Sequence, residues 1–264
     1  MIKKLKLVIG NWGVRTIKFI ARKAKIDLIR VAYSENGISK SHSLEASGEQ
    51  FFIQTFLPEQ LANSNPVFFD VGGNKGEYTR LLKRNFPKAH IYTFEPNPHT
   101  FTLLNQNSIE GVNYVNLGIG KENGNLELYF DSEDQTSVQA TSDPEILKQI
   151  ARTESVTSTT ITVTTLDTYC QENGIDHIHL LKIDTEGFEL EALMGAQNLL
   201  KNDAIDFIQF EFNEVNLVKR RFLSDFYELL VNFEFYRLDE KRLIPLGAWQ
   251  PIHEIFLFQN ILAV

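Results

Sequence analysis

Apolar and polar positions fall into two regimes along the chain. From Pro66 onward short apolar runs alternate with segments of helical period. "VFFDV" precedes a helical pattern over 77–85, "HIYTFE" precedes one over 98–107, and "VNYVNLGI" reads as a third strand. Strands followed by helices need crossover connections, so the pattern predicts a parallel sheet with helices on its faces. "GNLELYF" then reads as a hairpin arm. Residues 131–160 are rich in Ser, Thr, Asp and Glu, with Asp143 and Pro144 forming a helix start. This polar segment is either a lid over a site or a surface insertion. Alternation resumes with "LDTYCQENG" as helix, "HLLKID" as strand, 187–200 as helix, "AIDFIQFEF" as strand and 217–232 as helix. The closing "FEFYRLD" and "EIFLFQNI", separated by Pro245, Gly247 and Pro251, predict an antiparallel pair at the sheet edge.

The beginning of the chain differs. On a helical wheel Lys4, Arg15, Lys18, Arg22 and Lys25 share one face, while Leu5, Ile9, Trp12, Ile17, Ile20 and Ala24 fall on the other. Two readings of this basic amphipathic helix stay open. Its apolar side packs on this domain or a second subunit, or it lies on an anionic leaflet as a peripheral membrane contact through residues 1–30. Residues 31–50 read as a polar linker, and "EQFFIQTFLPEQL" as a short helix covering the start of the core. The expected division is therefore residues 1–62 as helix, linker and covering helix, and residues 63–264 as the α/β domain.

Charge sharpens this division. Residues 1–30 hold nine Lys or Arg against the single acid Asp27, a charge of +8, so a chain of net −8 leaves −16 on the remainder. Such an acidic body is a poor partner for nucleic acid. The single cysteine, Cys170, cannot form an intrachain disulfide, which points to a reducing compartment, hence the cytoplasm, with membrane association left open. The apolar stretch "LVIG" is too short for a signal-peptide core, and no run approaches a membrane span. At 264 residues and 43% hydrophobic content the chain can bury one large core.

The candidate chemistry lies first in "VFFDVGGNKGEYTRLL". A G-x-G-x-x-G fingerprint fails because position 71 is Val, and a phosphate-cradling G-x-x-x-x-G-K-[ST] is absent. What remains is D-x-G-x-x-x-G at a strand-to-helix junction, where open α/β sheets bind ligands. Gly72 and Gly73 let a ligand approach the backbone, and Gly76 admits close helix contact. Asp70 suits a cationic group such as an amine, and Glu95, at the end of the second strand, suits two ribose hydroxyls. The competing reading is that the glycines serve turn geometry and the acids cap helices. Taken together, the set suits a nucleoside carrying an amino acid, S-adenosyl-L-methionine.

"FFDVGGNKGEYT", "IYTFEPNP", "LGIGKENGNLELY", "VTTLDTYC" and above all "LLKIDTEGFELEALMGA" resemble the FkbM-type S-adenosylmethionine-dependent methyltransferases. The resemblance covers about residues 66–260. It implies a class I methyltransferase fold, a Rossmann-like doubly wound seven-stranded sheet, mostly parallel with an antiparallel last strand. It also implies O-methylation of a hydroxyl on a sugar, a glycan or glycolipid precursor, or another natural product. Its motifs assign cofactor contacts to Asp70, Gly72, Gly73, Asn74, Gly76, Glu95, Pro96, Asn97 and Gly118. Lys75 stands where that family commonly has an apolar residue, and Gly118 where alanine is common.

Methyl transfer from a sulfonium is an in-line displacement, so the remaining need is a held and deprotonated acceptor oxygen. Asp184 ends the fourth strand as base or orienting group, Lys182 lies two positions earlier on the same face, and Glu186 caps the next helix region; these three form the catalytic candidates. The structural alternative pairs Lys182 with Asp184 and gives Glu186 and Glu189 to the helix dipole, a role favoured for Glu189. Asp184, Glu186 and Glu211 are conceivable magnesium ligands, but clustered acids at strand ends usually form a solvated rim and no metal is expected. His253 is an outside candidate for the base, and Ser137 and Gln139 for lining the acceptor side. Two other classes compete: a catalytically inactive scaffold, and an amine or nucleic-acid methyltransferase. The latter's [DNS]-P-P-[YFW] signature is missing where "DTEG" stands. Oligomeric state is left open.

Overall fold

The computed structural model describes residues 2–38, 43–61, 65–134, 136, 140–153 and 155–264, with side chains from Trp12 onward, Ala151 excepted. Among the described residues eleven strands run in chain order: β1 (Val67–Val71), β2 (His90–Phe94), β3 (Val112–Val115), β4 (Gly118–Ile119), β5 (Gly124–Asp131), β6 (Val156–Thr164), β7 (Ile178–Ile183), β8 (Ile205–Phe212), β9 (Phe235–Asp239), β10 (Arg242–Pro245) and β11 (Gln259–Ala263). The main sheet has the order β10-β9-β11-β8-β7-β1-β2-β3, and β4-β6-β5 form a second, three-stranded sheet. From β3 to β8 the pairing is parallel; β11 is antiparallel to both β8 and β9. The chain turns outward from β1 through β2 to β3, then returns to β7 on the other side of β1. The crevice between β1 and β7 is thus the switch point of the sheet.

Alternation within β1 divides the core. Phe68 joins Phe52, Ile53, Leu57, Leu81, Leu82, Leu180 and Phe207 on one face of the sheet. Phe69 and Val71 join Phe94, Tyr169, Ile183, Leu193, Phe210 and Phe226 on the other. Each fully buried phenylalanine contributes roughly 1.5–3 kcal/mol. The covering segment Glu49–Gln60 is part of this interior: Phe52, Ile53 and Leu57 are completely buried.

Several expectations are corrected. The sheet has eight strands, because the turn-rich stretch after β9 folds back as β10 and occupies the edge. The last two predicted strands do pair, but β11 inserts between β8 and β9 and so lies inside the sheet. "VNYVNLGI" breaks after β3 and sends β4 to the second sheet. Strand β6 was hidden in a Thr-rich run whose inward residues are Ile161 and Val163. The helix expected over 187–200 divides into Glu189–Met194 and Gln197–Lys201 around Gly195, where a Cβ would sit 2.2 Å from the Gly120 carbonyl oxygen. The helix expected over 217–232 divides into Glu214–Lys219 and Leu223–Leu229, with Arg220 between them at φ +54°.

The amino-terminal helix, Ile2–Ala24, ends with Lys25 at φ +54° and a hydrogen bond from Ile26 N–H to the Ala21 carbonyl at 2.9 Å, a left-handed stop. Asp27 then caps the helix Leu28–Ser34, its Oδ1 accepting from Ile29 N–H at 2.9 Å. Among residues 12–24 only Ala21 is buried, so the described side chains do not pack their apolar side on this domain, while packing on a second subunit and contact with a leaflet both stay open. Lys4, Leu5 and Ile9 lie outside the residues whose side chains are described.

Candidate functional site

Register places one polar row across the sheet near its carboxyl edge. Asp70 on β1 stands beside Lys182 on β7, and Lys182 beside Gln209 on β8. All three share the face of Phe68, Leu180 and Phe207, and the next residues, Val71, Ile183 and Phe210, turn into the other core half. Beyond the row the chain tips open into a cleft of about 620 Å³. Its walls carry Glu49, Asp70, Glu77, Glu95, Asp184, Glu186, Glu211 and Glu214, against Lys75 and Lys182.

Glu95 is held by the backbone: its two carboxylate oxygens accept from Asn74 N–H and Asn97 N–H, each at 2.9 Å. Burial pushes its pKa up to about 7, with these two N–H groups opposing the rise. Asp70 is 1% exposed; one oxygen accepts from the Thr79 hydroxyl at 2.5 Å and the other has no partner. Burial raises its pKa and the Lys182 ammonium pulls it back. Asn74 adds a second buried, unpartnered oxygen at φ +45°. Two orphaned acceptors on one cleft wall fit a ligand that brings N–H or ammonium donors.

The loop glycines are also fixed by close neighbours within the fold. Gly72, at φ +84°, would place a Cβ 1.8 Å from the Asp184 carbonyl oxygen, and Gly73 one 2.2 Å from Thr93 Cγ2. Their N–H groups both donate to the Phe94 carbonyl at 2.9 Å. The space that Gly72 and Gly73 free on that side is taken by neighbouring strand tips, although both residues still line the cleft. Gly76, at φ +78°, sits against Leu104 of the helix Pro98–Gln106, as close helix contact requires, and is outside the cleft lining. Asn97 is also outside it, capping that same helix by accepting from His99 N–H at 3.0 Å. Pro96 borders both the cleft and an adjoining small apolar slot, which Gly118, Leu126 and Val163 also line.

Lys182 donates to Asp184 Oδ2 at 2.8 Å and lies 4.9 Å from the centre of the Tyr78 ring. Burial alone would lower its pKa, but the carboxylates of Asp184, Glu49 and Asp70 outweigh this and hold it raised. The Tyr78 hydroxyl donates to Gln209 Oε1 at 2.6 Å, and Gln209 Nε2 donates to Glu49 Oε1 at 2.9 Å and Asn260 Oδ1 at 3.1 Å. Sequence reasoning missed this buried set. Gln209 carried a signal, as a polar position alternating with Glu211 in an apolar strand; Glu49 carried none, because it arrives from a remote segment.

Glu186 is at φ +51° and its pKa is raised well above the ordinary value by burial, then by repulsion from Asp184 and Glu189. It is not a helix cap: the cap position is Phe188, without a side-chain hydrogen bond. Glu189 instead ties the loop, accepting from Thr185 N–H at 2.9 Å and Gly187 N–H at 3.2 Å. Glu211 accepts from the Asn213 amide and is likewise pushed well up by burial and Asp184. Asp184, Glu186 and Glu211 do not bring three oxygens within 4.8 Å of one another. Among the described residues only His177, His179 and Asp206 form so close a group, at the opposite edge of the sheet. There His179 Nδ1 accepts from Val67 N–H at 3.0 Å, which uses the one unprotonated nitrogen of a neutral ring. His253 is outside the cleft, accepting from Gln250 N–H at 3.2 Å. Ser137 and Gln139 lie outside the described residues, while Ala140 and Ile150 of the same polar segment border the cleft.

Known proteins resemble this chain over part of its length. The chain is 32% identical over 143 residues to Methyltransferase 1 of Beauveria bassiana, covering 48% of this chain and 56% of that protein. It is 29% identical over 167 residues to the hexuronic acid methyltransferase AglP of Haloferax volcanii, 63% of each. With the 2-O-methyltransferase NoeI of Sinorhizobium fredii it shares 24% identity over 185 residues, 66% of this chain and 74% of the relative. The chain thus spans from over half to about three quarters of the length of these relatives. A solved structure of the plantazolicin methyltransferase BpumL in complex with SAH superposes with a TM-score of 0.42 at 10% identity, over 82% of each chain. The family model described as the methyltransferase FkbM domain matches residues 70–238, so the chain belongs to the FkbM methyltransferase family, whose methyl donor is S-adenosylmethionine.

Proposed function

We propose that the protein transfers a methyl group from S-adenosylmethionine to a hydroxyl of a sugar, a glycan or glycolipid precursor, or a related natural product. The observation that carries this reading is the unpartnered, buried Asp70 oxygen at the sheet's switch point, flanked by a backbone-held Glu95. Asp70 and Asn74 would receive the donor's ammonium, Glu95 its ribose hydroxyls, and the apolar walls of Pro96, Gly118 and Val163 its base. When bound, the sulfonium supplies an electrophilic methyl group. Asp184 faces the cleft as the acceptor's base or orienting group, and Lys182 fixes that carboxylate through its 2.8 Å contact. Glu186 lies next in the loop with a raised pKa, suited to holding a proton near the acceptor. The names of the relatives AglP and NoeI support a sugar hydroxyl as the acceptor.

Titration calorimetry with S-adenosylhomocysteine tests the donor half, and absence of heat from the wild-type protein would sink it. Asp184→Asn should lower turnover about 10²- to 10⁴-fold on a responsive sugar acceptor while S-adenosylhomocysteine affinity stays within about threefold. Wild-type turnover in that variant would remove the assignment of Asp184. Cofactor affinity with no turnover on any acceptor would favour the scaffold reading.

A further inference from the structure

We propose that the amino-terminal helix pair is a docking surface for an anionic lipid bilayer. The pair is attached to the body at its far end, where Ile38 is buried and the Glu35 carbonyl accepts from Arg242 Nη2 at 2.9 Å. From that anchor the helix Leu28–Ser34 leads back to the left-handed stop at Lys25, and the long helix Ile2–Ala24 runs on from it. The apolar side chains described on it find no cover among the described residues: Trp12 is 72% exposed, Phe19 63%, Ile17 55% and Ile20 53%. Ile26, Leu28 and Ile29 continue the exposed apolar surface around the turn. An exposed tryptophan, an exposed phenylalanine and two exposed isoleucines on one helix mark a contact surface.

The charge around that surface selects the occupant. Arg15, Lys18, Arg22 and Lys25 recur at spacings of three and four and form a continuous cationic row beside the apolar face. No acid occurs before Asp27, so two copies paired through this helix would juxtapose cations with no acidic partner on the helix itself. An anionic headgroup layer supplies the missing charge, and its acyl boundary receives the aromatic and aliphatic residues. The remainder of the chain carries −16 and is repelled by the same layer. Contact is therefore confined to the arm. This inference does not depend on the methyl-transfer reading.

The test is flotation of the full chain with vesicles of phosphatidylcholine alone and of phosphatidylcholine with about one third phosphatidylserine. The protein should float with the second set only and be released by about 0.5 M salt. Lys18→Glu with Arg22→Glu, and separately Trp12→Ser with Phe19→Ser, should each lower partitioning at least about tenfold. Both pairs are exposed, so their thermal melting should match wild type. Protein that stays unbound to both vesicle sets overturns the proposal, as does anionic binding that both variants retain. A dimer seen by light scattering that Trp12→Ser converts to monomer would make a second copy the occupant and overturn it as well.

Discussion

The two sides of the cleft give their carboxylates different surroundings. On the β1–β2 side Glu95 gives each oxygen a backbone N–H, and Asp70 gives one oxygen to Thr79 and leaves one free. On the β7–β8 side Glu186 and Glu211 face the Asp184 carboxylate, and both are pushed well above the ordinary range. Donors built into the backbone lower the free-energy cost of burying an acid, whereas acids gathered at adjacent strand tips raise it. The first side is therefore ordered by the fold itself. The second is left for a proton or an incoming group to neutralise, a usual sign of stability given up for chemistry.

The sharpest break between the sides should come from Asp70→Asn. Loss of a charged acceptor facing an ammonium should weaken S-adenosylhomocysteine binding about 10- to 150-fold, 1.5–3 kcal/mol, read by calorimetry. Unchanged affinity would remove the proposed donor wall. The opposite side should respond in stability. Glu211 has a folded pKa above its ordinary value of 4.5, so the folded state holds the proton more tightly. Its contribution is fully present below 4.5 and is lost as pH rises through the folded value. Glu211→Gln should accordingly gain at least about 1 kcal/mol in urea unfolding at pH 8, with the gain vanishing near pH 4. A loss at pH 8 would mean that the Asn213 contact outweighs the repulsion.

The same contrast explains what was legible in the chain. Strand β1, its acid and the turn after it are local, and short apolar runs with period two report them directly. The positions of Asp70, Glu95, Lys182 and Asp184 at strand ends followed from that pattern. The role of Gly72 did not, because the atom it avoids belongs to Asp184, 112 positions later. Glu49 was unreadable for the same reason: its partners Gln209 and Lys182 meet it only through the packed sheet. Strand β6 was missed because threonines occupy most of it and only Ile161 and Val163 are buried apolar positions. The eighth strand escaped because "RLIP" is short and ends in proline, which an edge position tolerates.

A smaller effect should separate Glu95 from the acids opposite it. Burial raises the Glu95 pKa to about 7, so its carboxyl exchanges its proton around neutral pH, and ionisation makes both oxygens acceptors for ribose hydroxyls. Affinity for S-adenosylhomocysteine should therefore rise up to about tenfold between pH 6 and 8. Glu95→Gln should flatten that profile, and a wild-type profile already flat would assign the ribose contact elsewhere. In folding the sign is reversed, since stability from this group is present below 4.5 and lost as pH passes about 7.

The smallest predicted change tests whether the ordered side works as a unit. Thr79 is fully buried and outside the cleft lining, and its hydroxyl lies 2.5 Å from Asp70 Oδ2 and 2.7 Å from Thr93 Oγ1. Thr79→Val keeps the shape and removes the donor, so the Asp70 carboxyl is held less firmly and its pKa rises further. Ligand affinity should fall about fivefold, near 1 kcal/mol, without any contact being lost to the ligand itself. Because this effect passes through Asp70, it should disappear in the Asp70→Asn background. Independent, additive losses in the double variant would show that Thr79 acts by packing alone, and the hydrogen-bonded order of the β1–β2 side would then have no part in binding.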